Sequence, residues 1–397
     1  MGDFIDAKSK HDKVMNMLAK ITDGKSYKAH KYSLDHAARP SVDYGDNEIV
    51  WKRRAETILY KTYVDLSSRL RMRLSSPNNQ ILSYFMDGSR RVFKVDDIAY
   101  SQSGNRSVIY PVIAGQIGVG CCRRVGKSVT PVKYKREFVL SMPDVADANG
   151  KSGFWPATAK KLSEECNELK RLRIEFSNIL PYKTLKKDEK FEDRATACVQ
   201  DRMIECEKKL VAELVRESKL NQDNYLVKDG SLEYRPAKED KADKKMYQTF
   251  KNNYNWVIGA SKNFNPEVCA DINGKPNPGF IADLPLYHRT PVSEYENPML
   301  GDIKFAIWYI RLREKTQTRT PFDGVLKVEK ILVTKEENEY GIDSQLVDTL
   351  SAYLINERNP VCYGADLRWA NHIYPIYLTE SYVKSRYLSA ESFLHLF

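Results

Sequence analysis

The stretch ILSYFMDGSRRVFKVDDIAYSQSGNRSVIYPVIAGQIGVGCCRRVGKSVTPVKYKREFVLSM (residues 81–142) decides the fold. Within it, ILSYFM (81–86), RRVFKVDDIAY (90–100), SVIYPVIAGQIGVG (107–120) and PVKYKREFVLSM (131–142) are rich in β-branched and aromatic residues. Gly, Asn and Ser clusters separate them, which is the pattern of a β meander. Upstream, apolar positions in EIVWKRRAETILYKTYVDLSSRLRMRL (48–74) recur every three or four residues. That spacing predicts a long helix, broken by SSPNN at 75–79.

Downstream, 157–178 and 192–218 carry helical spacing with Pro181 between them. A short strand NYLVK (224–228), a polar helix (237–252) and a strand NWVIGA (255–260) follow. Residues 265–301, rich in Pro, Gly and Asn, read as a long loop. DIKFAIWYIRLRE (302–314) and GVLKVEKILVT (324–334) read as strands, 342–357 as a helix, and a last helix begins after Pro375. Strands first, then strands interleaved with helices, predict an α/β fold: a mixed sheet flanked by helices, with a helical N-terminal segment and a helical insertion around 157–218. The expected division is 1–79 as a docking or dimerisation segment and 80–397 as the main domain.

The 397 residues hold 63 Lys+Arg against 53 Asp+Glu, a net charge of +10. Such a surplus favours a polyanionic partner. Ordinary hydrophobic (42%) and charged (29%) fractions exclude a disordered or fibrous chain. No stretch approaches the roughly 20 apolar residues that span a bilayer, and MGDFIDAKSKHDK lacks the apolar centre of a signal peptide. Seven cysteines without a CxxC pair indicate neither a disulfide framework nor a zinc ribbon. A reduced, cytoplasmic protein without membrane association is expected.

Gly126-Lys127-Ser128 ends like a phosphate-binding loop, but Cys121 stands where its first glycine belongs. Gly118-Val119-Gly120 begins like a dinucleotide fingerprint, but Arg123 replaces the third glycine. The acidic pattern is more informative. SYFM-Asp87-Gly88-Ser89 and NYLVK-Asp229-Gly230-Ser231 each place an aspartate after an apolar run, with glycine suited to a turn. Two such strand-end carboxylates can share a hard divalent ion, or can simply be turns. Between them, at about 100° per residue, Glu207 falls about 40° from Met203, inside the stripe of Met203, Cys206, Leu210, Val211 and Leu214. A glutamate there must be paired, protonated or holding a cation. Glu192 and Gln200 lie near the same face. Lys262 ends the strand NYNWVIGAS, placed either to offset phosphate charge or to face solvent.

The order of these features resembles the NurA family of nucleases, with SYFMDGS (83–89), the helix around Glu207, YLVKDGSL (225–232), WVIGASK (256–262) and YPIYLTESY (374–382) standing where that family's motifs stand. The resemblance spans roughly residues 80 to 397. It implies an RNase H-like core related in shape to the catalytic domain of Argonaute proteins, and Mn²⁺ or Mg²⁺ held by Asp87, Glu207 and Asp229. Lys262 and Tyr374 would lie near the phosphates. It further implies a homodimer docked on a HerA-type hexameric ATPase translocase, degrading or resecting DNA in repair or anti-phage defence. One departure stands out. Where the family has the histidine of Ala-His, this chain has Ser381-Tyr382, and tyrosine is a poor metal ligand and a poor general base at neutral pH. Tyr382 therefore stands in the family's catalytic position with changed chemistry, and His372 is an alternative. The departure also motivates a second reading, a non-catalytic partner that docks on and regulates the hexameric ATPase. On the nuclease reading, Arg90, Arg91, Arg123, Arg124, Lys133 to Arg136, Arg311 and Arg313 are expected to face the DNA phosphates.

Overall fold

The four strand-like runs of 81–142 form three strands. In the computed structural model, which describes residues 13–27, 30–35, 49–74, 80–102, 106–147, 149–183, 189–232, 244–297, 303–360 and 369–397, the strands are β1 (Lys25–Tyr27), β2 (Tyr32–Ser33), β3 (Val50–Arg54), β4 (Val64–Asp65), β5 (Leu82–Gln102), β6 (Arg106–Val125), β7 (Ser128–Pro143), β8 (Phe176–Tyr182), β9 (Tyr225–Asp229), β10 (Val257–Ser261), β11 (His288–Arg289), β12 (Ser293–Glu296), β13 (Lys304–Arg311) and β14 (Val325–Ile331). The helices are α1 (Lys13–Ile21), α2 (Ser67–Leu74), α3 (Phe154–Glu165), α4 (Asn167–Leu172), α5 (Phe191–Arg216), α6 (Lys244–Asn253), α7 (Pro278–Ala282), α8 (Lys335–Tyr340), α9 (Ser344–Asn356), α10 (Tyr374–Lys384) and α11 (Ala390–Leu394). SSPNN and 237–243 lie outside the described residues. No described helix is long and apolar enough to cross a membrane.

The strands join one mixed sheet, in the order β3-β12-β13-β14-β10-β9-β5-β6-β7-β8. β9 runs parallel to both β5 and β10, β8 runs parallel to β7, and the remaining neighbours along this path are antiparallel. The expected mixed sheet flanked by helices is thus the observed one. Its central strands β9, β10, β13 and β14 are buried on both faces, because alternate residues feed two cores. In β13, Phe305, Ile307 and Tyr309 join the core under α5, whereas Ala306, Trp308 and Ile310 join the core under α2 and α9. Helices α1, α3, α4 and α11 cover the far end of β5 to β8.

Four expectations are corrected. Residues 48–74 do not form one helix: β3 occupies 50–54, β4 occupies 64–65, and only 67–74 is helical. Edge pairing of β3 with β12 overrides the helical spacing. The gap around Pro181 is the edge strand β8, and the expected loop 265–301 contains α7, β11 and β12. DGS at 87–89 ends nothing, since β5 continues through it, paired with β6 to Gln102.

Helix α5 matches its predicted stripe, burying Ala195, Val199, Met203, Cys206, Glu207, Leu210, Val211 and Leu214. It is also clamped to β7, where Arg202 donates from Nε and Nη2 to the two oxygens of Glu137, each bond 2.7 Å. Burial pushes the Glu137 carboxyl up, but Arg202 outweighs it and holds the group below its usual range. A depressed carboxylate stabilises the fold above the unfolded value near 4.3 and stops doing so as pH falls through the folded value. Glu137→Gln should therefore cost about 1 kcal/mol at pH 7, given the partial exposure of the pair. Urea titrations at pH 7 and in acid check this; an equal loss at both would refute it.

Candidate functional site

The parallel pairing of β5 with β9 places Met86 beside Lys228, which brings Asp87 and Asp229 to the same level on neighbouring strands. Both aspartates follow the pleat onto one face, towards α10, while Gly88 and Lys228 point to the other, towards α5. The two DGS motifs thus stand side by side. At the second one the expected turn is present, with Gly230 at φ +84.

Gly88 has a different purpose. A Cβ built there would lie 2.3 Å from Glu207 Oε1, so only glycine leaves space for the glutamate of α5. Gly88→Ala should push Glu207 off Lys228, lowering any cleavage activity roughly a hundredfold, the scale of a misplaced catalytic group. Side-by-side activity and thermal melting test this; unchanged activity would show that Glu207 takes no part.

The glycines of IAGQIGVG are likewise explained by close approach. A Cβ at Gly118 or Gly120 would meet Val383 of α10 at 2.8 or 2.5 Å. They seat α10 against β6. α10 starts at Tyr374, with Pro375 in its first turn, and Thr379, whose hydroxyl donates to the Pro375 carbonyl at 2.8 Å, packs 3.5 Å from the Phe85 carbonyl, two residues before Asp87.

A pocket of about 390 Å³ lies over the two motifs, lined by Asp87, Gly88, Gln200, Met203, Ile204, Glu207, Lys228, Asp229, Gly230, Ser231, Ser261, Lys262 and Asn263. The structure thus assembles Asp87, Glu207, Asp229 and Lys262. Tyr374 and Tyr382 are not among the lining residues. Tyr374 is 38% exposed and stacks on Tyr377. Tyr382 lies edge-on to Tyr134 and beneath the Arg386 guanidinium, because its position on α10 faces β7 and not the pocket.

Two lysines interleave the carboxylates. Glu207, 2% exposed, lies 3.3 Å from Lys228 Nζ, so the buried Glu–Lys pair weighed for it is present. Lys262 is not solvated; its Nζ donates to Asp229 Oδ2 at 2.7 Å. Burial alone would raise the Asp229 carboxyl, but the Lys262 charge and hydrogen bond hold it below its usual range. Burial likewise opposes the Lys262 ammonium, and Asp229, Glu380 and Asp87 together hold it above its ordinary value. Asp87 is the opposite case. Burial, then the negative charges of Asp229 and Glu380, push its carboxyl well up despite Lys262.

Sequence reasoning missed Lys228, Glu329 and Glu380. Lys228 was legible from alternation, since Tyr225 and Val227 share the Asp229 face and leave Lys228 with Leu226. Glu329 of β14 is buried and accepts from Ser231 Oγ and the Leu232 N–H, both at 2.8 Å, fixing the chain after Asp229. Of the expected phosphate contacts, Arg311 is fully buried and donates to the carbonyls of Ile281, Ala282, Leu284, Pro321 and Asp323. It organises loops. Arg313 bonds the Asn359 carbonyl, Arg124 pairs with Glu357, and Lys133 and Lys135 pair with Glu213; Arg123 and Arg136 are exposed.

Among the described residues no group of three His, Cys, Asp or Glu stands as a ready metal cluster. The donor chemistry nevertheless fits a hard divalent ion: the donors are carboxylate oxygens, and Asp87 Oδ2 is buried without a hydrogen-bond partner, as is Ser261 Oγ in the same pocket. The sequence matches no protein-family model and no curated protein. Among solved structures the chain is similar to the crystal structure of the NurA nuclease from Sulfolobus solfataricus, at 12% identity and a TM-score of 0.38, over 80% of this chain and 86% of that one.

Proposed function

We propose that the chain is a metal-dependent deoxyribonuclease in which Asp87, Glu207 and Asp229 would hold Mn²⁺ or Mg²⁺. Support comes from three carboxylates and a lysine, on β5, α5, β9 and the end of β10, that line one pocket in which a buried carboxylate oxygen has no partner. Uncompensated polar atoms of this kind cost stability and point to a ligand. A divalent ion there supplies a more acidic water and neutralises charge on a scissile phosphate. The chain's own groups do the rest. Lys262 offers an ammonium for phosphate charge, Lys228 balances Glu207, and Glu329 fixes the backbone that carries Asp229.

The surplus of ten positive charges favours DNA as the substrate. The motif order extends the proposal to a homodimer that works with a HerA-type hexameric translocase, with residues 1–79 as the docking or dimerisation segment. Incubation of purified protein with linear DNA and Mn²⁺, with and without chelator and with and without the translocase, tests the assignment. Chelator-sensitive degradation is the expected result. ATPase stimulation with no degradation under any condition would instead establish the non-catalytic partner, a reading favoured by Tyr382 packing on Tyr134 outside the pocket.

A further inference from the structure

The Lys262 ammonium stands within ion-pairing reach of two carboxylates on different elements, 2.7 Å from Asp229 Oδ2 on β9 and 3.9 Å from Glu380 Oε2 on α10. Glu380 is mostly buried, with its side chain 16% exposed, and Lys384 one turn along the helix pairs with it at 2.5 Å. Asp87 stands beside Asp229, at the same level on the neighbouring strand β5, since Met86 pairs with Lys228. Its Oδ2 atom is buried, lies in a residue that lines the pocket, and takes no hydrogen bond.

Carboxylates from β9 and α10 therefore share one mostly buried ammonium, and the carboxylate beside them on β5 has a buried oxygen left over. An ammonium on a four-carbon stem supplies a single charge and no ordered coordination. A divalent ion supplies two charges and accepts several oxygens at once. The lysine compensates the cluster incompletely, and its flexible side chain, 11% exposed, keeps a path to solvent.

We propose that Glu380 joins Asp87 and Asp229 in holding the divalent ion, and that Lys262 is a tethered cation which stands in for that ion's charge and withdraws when the ion binds. This deepens the nuclease proposal and rests on it for Asp87 and Asp229; it gives Glu380 a ligand's part and Lys262 a second role. Tyr382, two residues beyond Glu380, is turned towards Tyr134, so the carboxylate that α10 brings to this cluster comes from Glu380.

Calorimetric titration of the full chain with MnCl₂ tests this without any cleavage assay. Glu380→Gln keeps the shape and removes the charge; it should weaken Mn²⁺ binding about tenfold or more, the scale set by groups that build a metal site. Lys262→Met keeps the stem and removes the competing charge; it should tighten Mn²⁺ binding several-fold. Asp87→Asn should abolish binding. If Asp87→Asn abolishes binding while Glu380→Gln binds as the wild type does, the part given to Glu380 is overturned and the nuclease proposal stands. If Lys262→Met binds no more tightly than wild type, the tethered-cation role is overturned. Wild-type protein that binds no Mn²⁺ would overturn both this inference and the proposal beneath it. Metal-free thermal melts of each variant establish that the folded chain is being titrated.

Discussion

Asp87→Asn and Asp229→Asn will each lower Mn²⁺-dependent DNA cleavage by roughly a thousandfold or more, the scale seen when a group that stabilises transition-state charge is removed, yet they will move stability in opposite directions. Asp87 carries a carboxyl raised by burial and by Asp229 and Glu380. The folded state then binds more protons than the unfolded state between the unfolded value near 3.9 and the raised folded value, so stability falls as pH climbs through that window. A neutral asparagine removes the loss, and the variant should melt above the wild type at pH 7 without metal. Asp229 is held below its ordinary value against burial by Lys262. Its contribution is present above the unfolded value and disappears as pH falls through the folded one. Asp229→Asn should therefore melt below the wild type at pH 7, with the gap closing in acid. Cleavage assays beside metal-free calorimetry at pH 7 and pH 3 check the pair. A drop in melting temperature for both, with activity retained, would make Asp87 a structural residue and remove the site.

That asymmetry supports the proposed binding site. Asp87 is buried with an unpartnered oxygen beside Asp229, a cost to stability that a bound ligand would relieve.

Much of this site was legible in the chain. The duplicated Asp-Gly-Ser motifs and the helical wheel of α5 identify Asp87, Asp229 and Glu207, because strand and helix periodicities carry through to the fold. Glu380 was not legible, since its relevance depends on α10 crossing β6 at Gly118 and Gly120, a tertiary contact with no local signal. Gly88 was misread for a related reason. Asp-Gly is common in turns, but here the glycine answers to a side chain more than a hundred residues further along. In IWYIRLR, the same alternation that buries Ile307 and Tyr309 carries Arg311 to their face, so its burial was available from period two, whereas composition alone suggested a phosphate contact. The spacing in 48–74 suits a helix, yet β3 gains its partner only once β12 is in place, and pairing outweighs a weak local preference.

The largest loss of stability is expected far from the pocket, at Arg289. This guanidinium is fully buried; its Nε donates to Asp348 Oδ1 of α9 at 2.6 Å and its Nη2 to Glu56 Oε2 at 2.9 Å. Glu56 is itself completed by the Val292 N–H at 2.8 Å and Ser344 Oγ at 3.0 Å. The network ties the N-terminal segment to β11 and α9, so residues 49–74 are held to the sheet by buried charge as well as by strand pairing. Such a network adds little compared with a well-packed apolar replacement, but breaking it on one side leaves uncompensated charge in the interior. Arg289→Met should cost about 3 to 5 kcal/mol, a large share of the 5 to 15 kcal/mol typical of a folded protein. Adding Glu56→Gln should recover a substantial part, because the stranded carboxylate is then neutral, whereas Asp348 keeps Arg69 at 3.3 Å. Urea midpoints for the single and double variants, at unchanged slope, measure both effects. A single variant within about 1 kcal/mol of wild type would mean that water reaches Glu56 and Asp348 once the arginine is gone, and that the N-terminal segment is held by its strands alone.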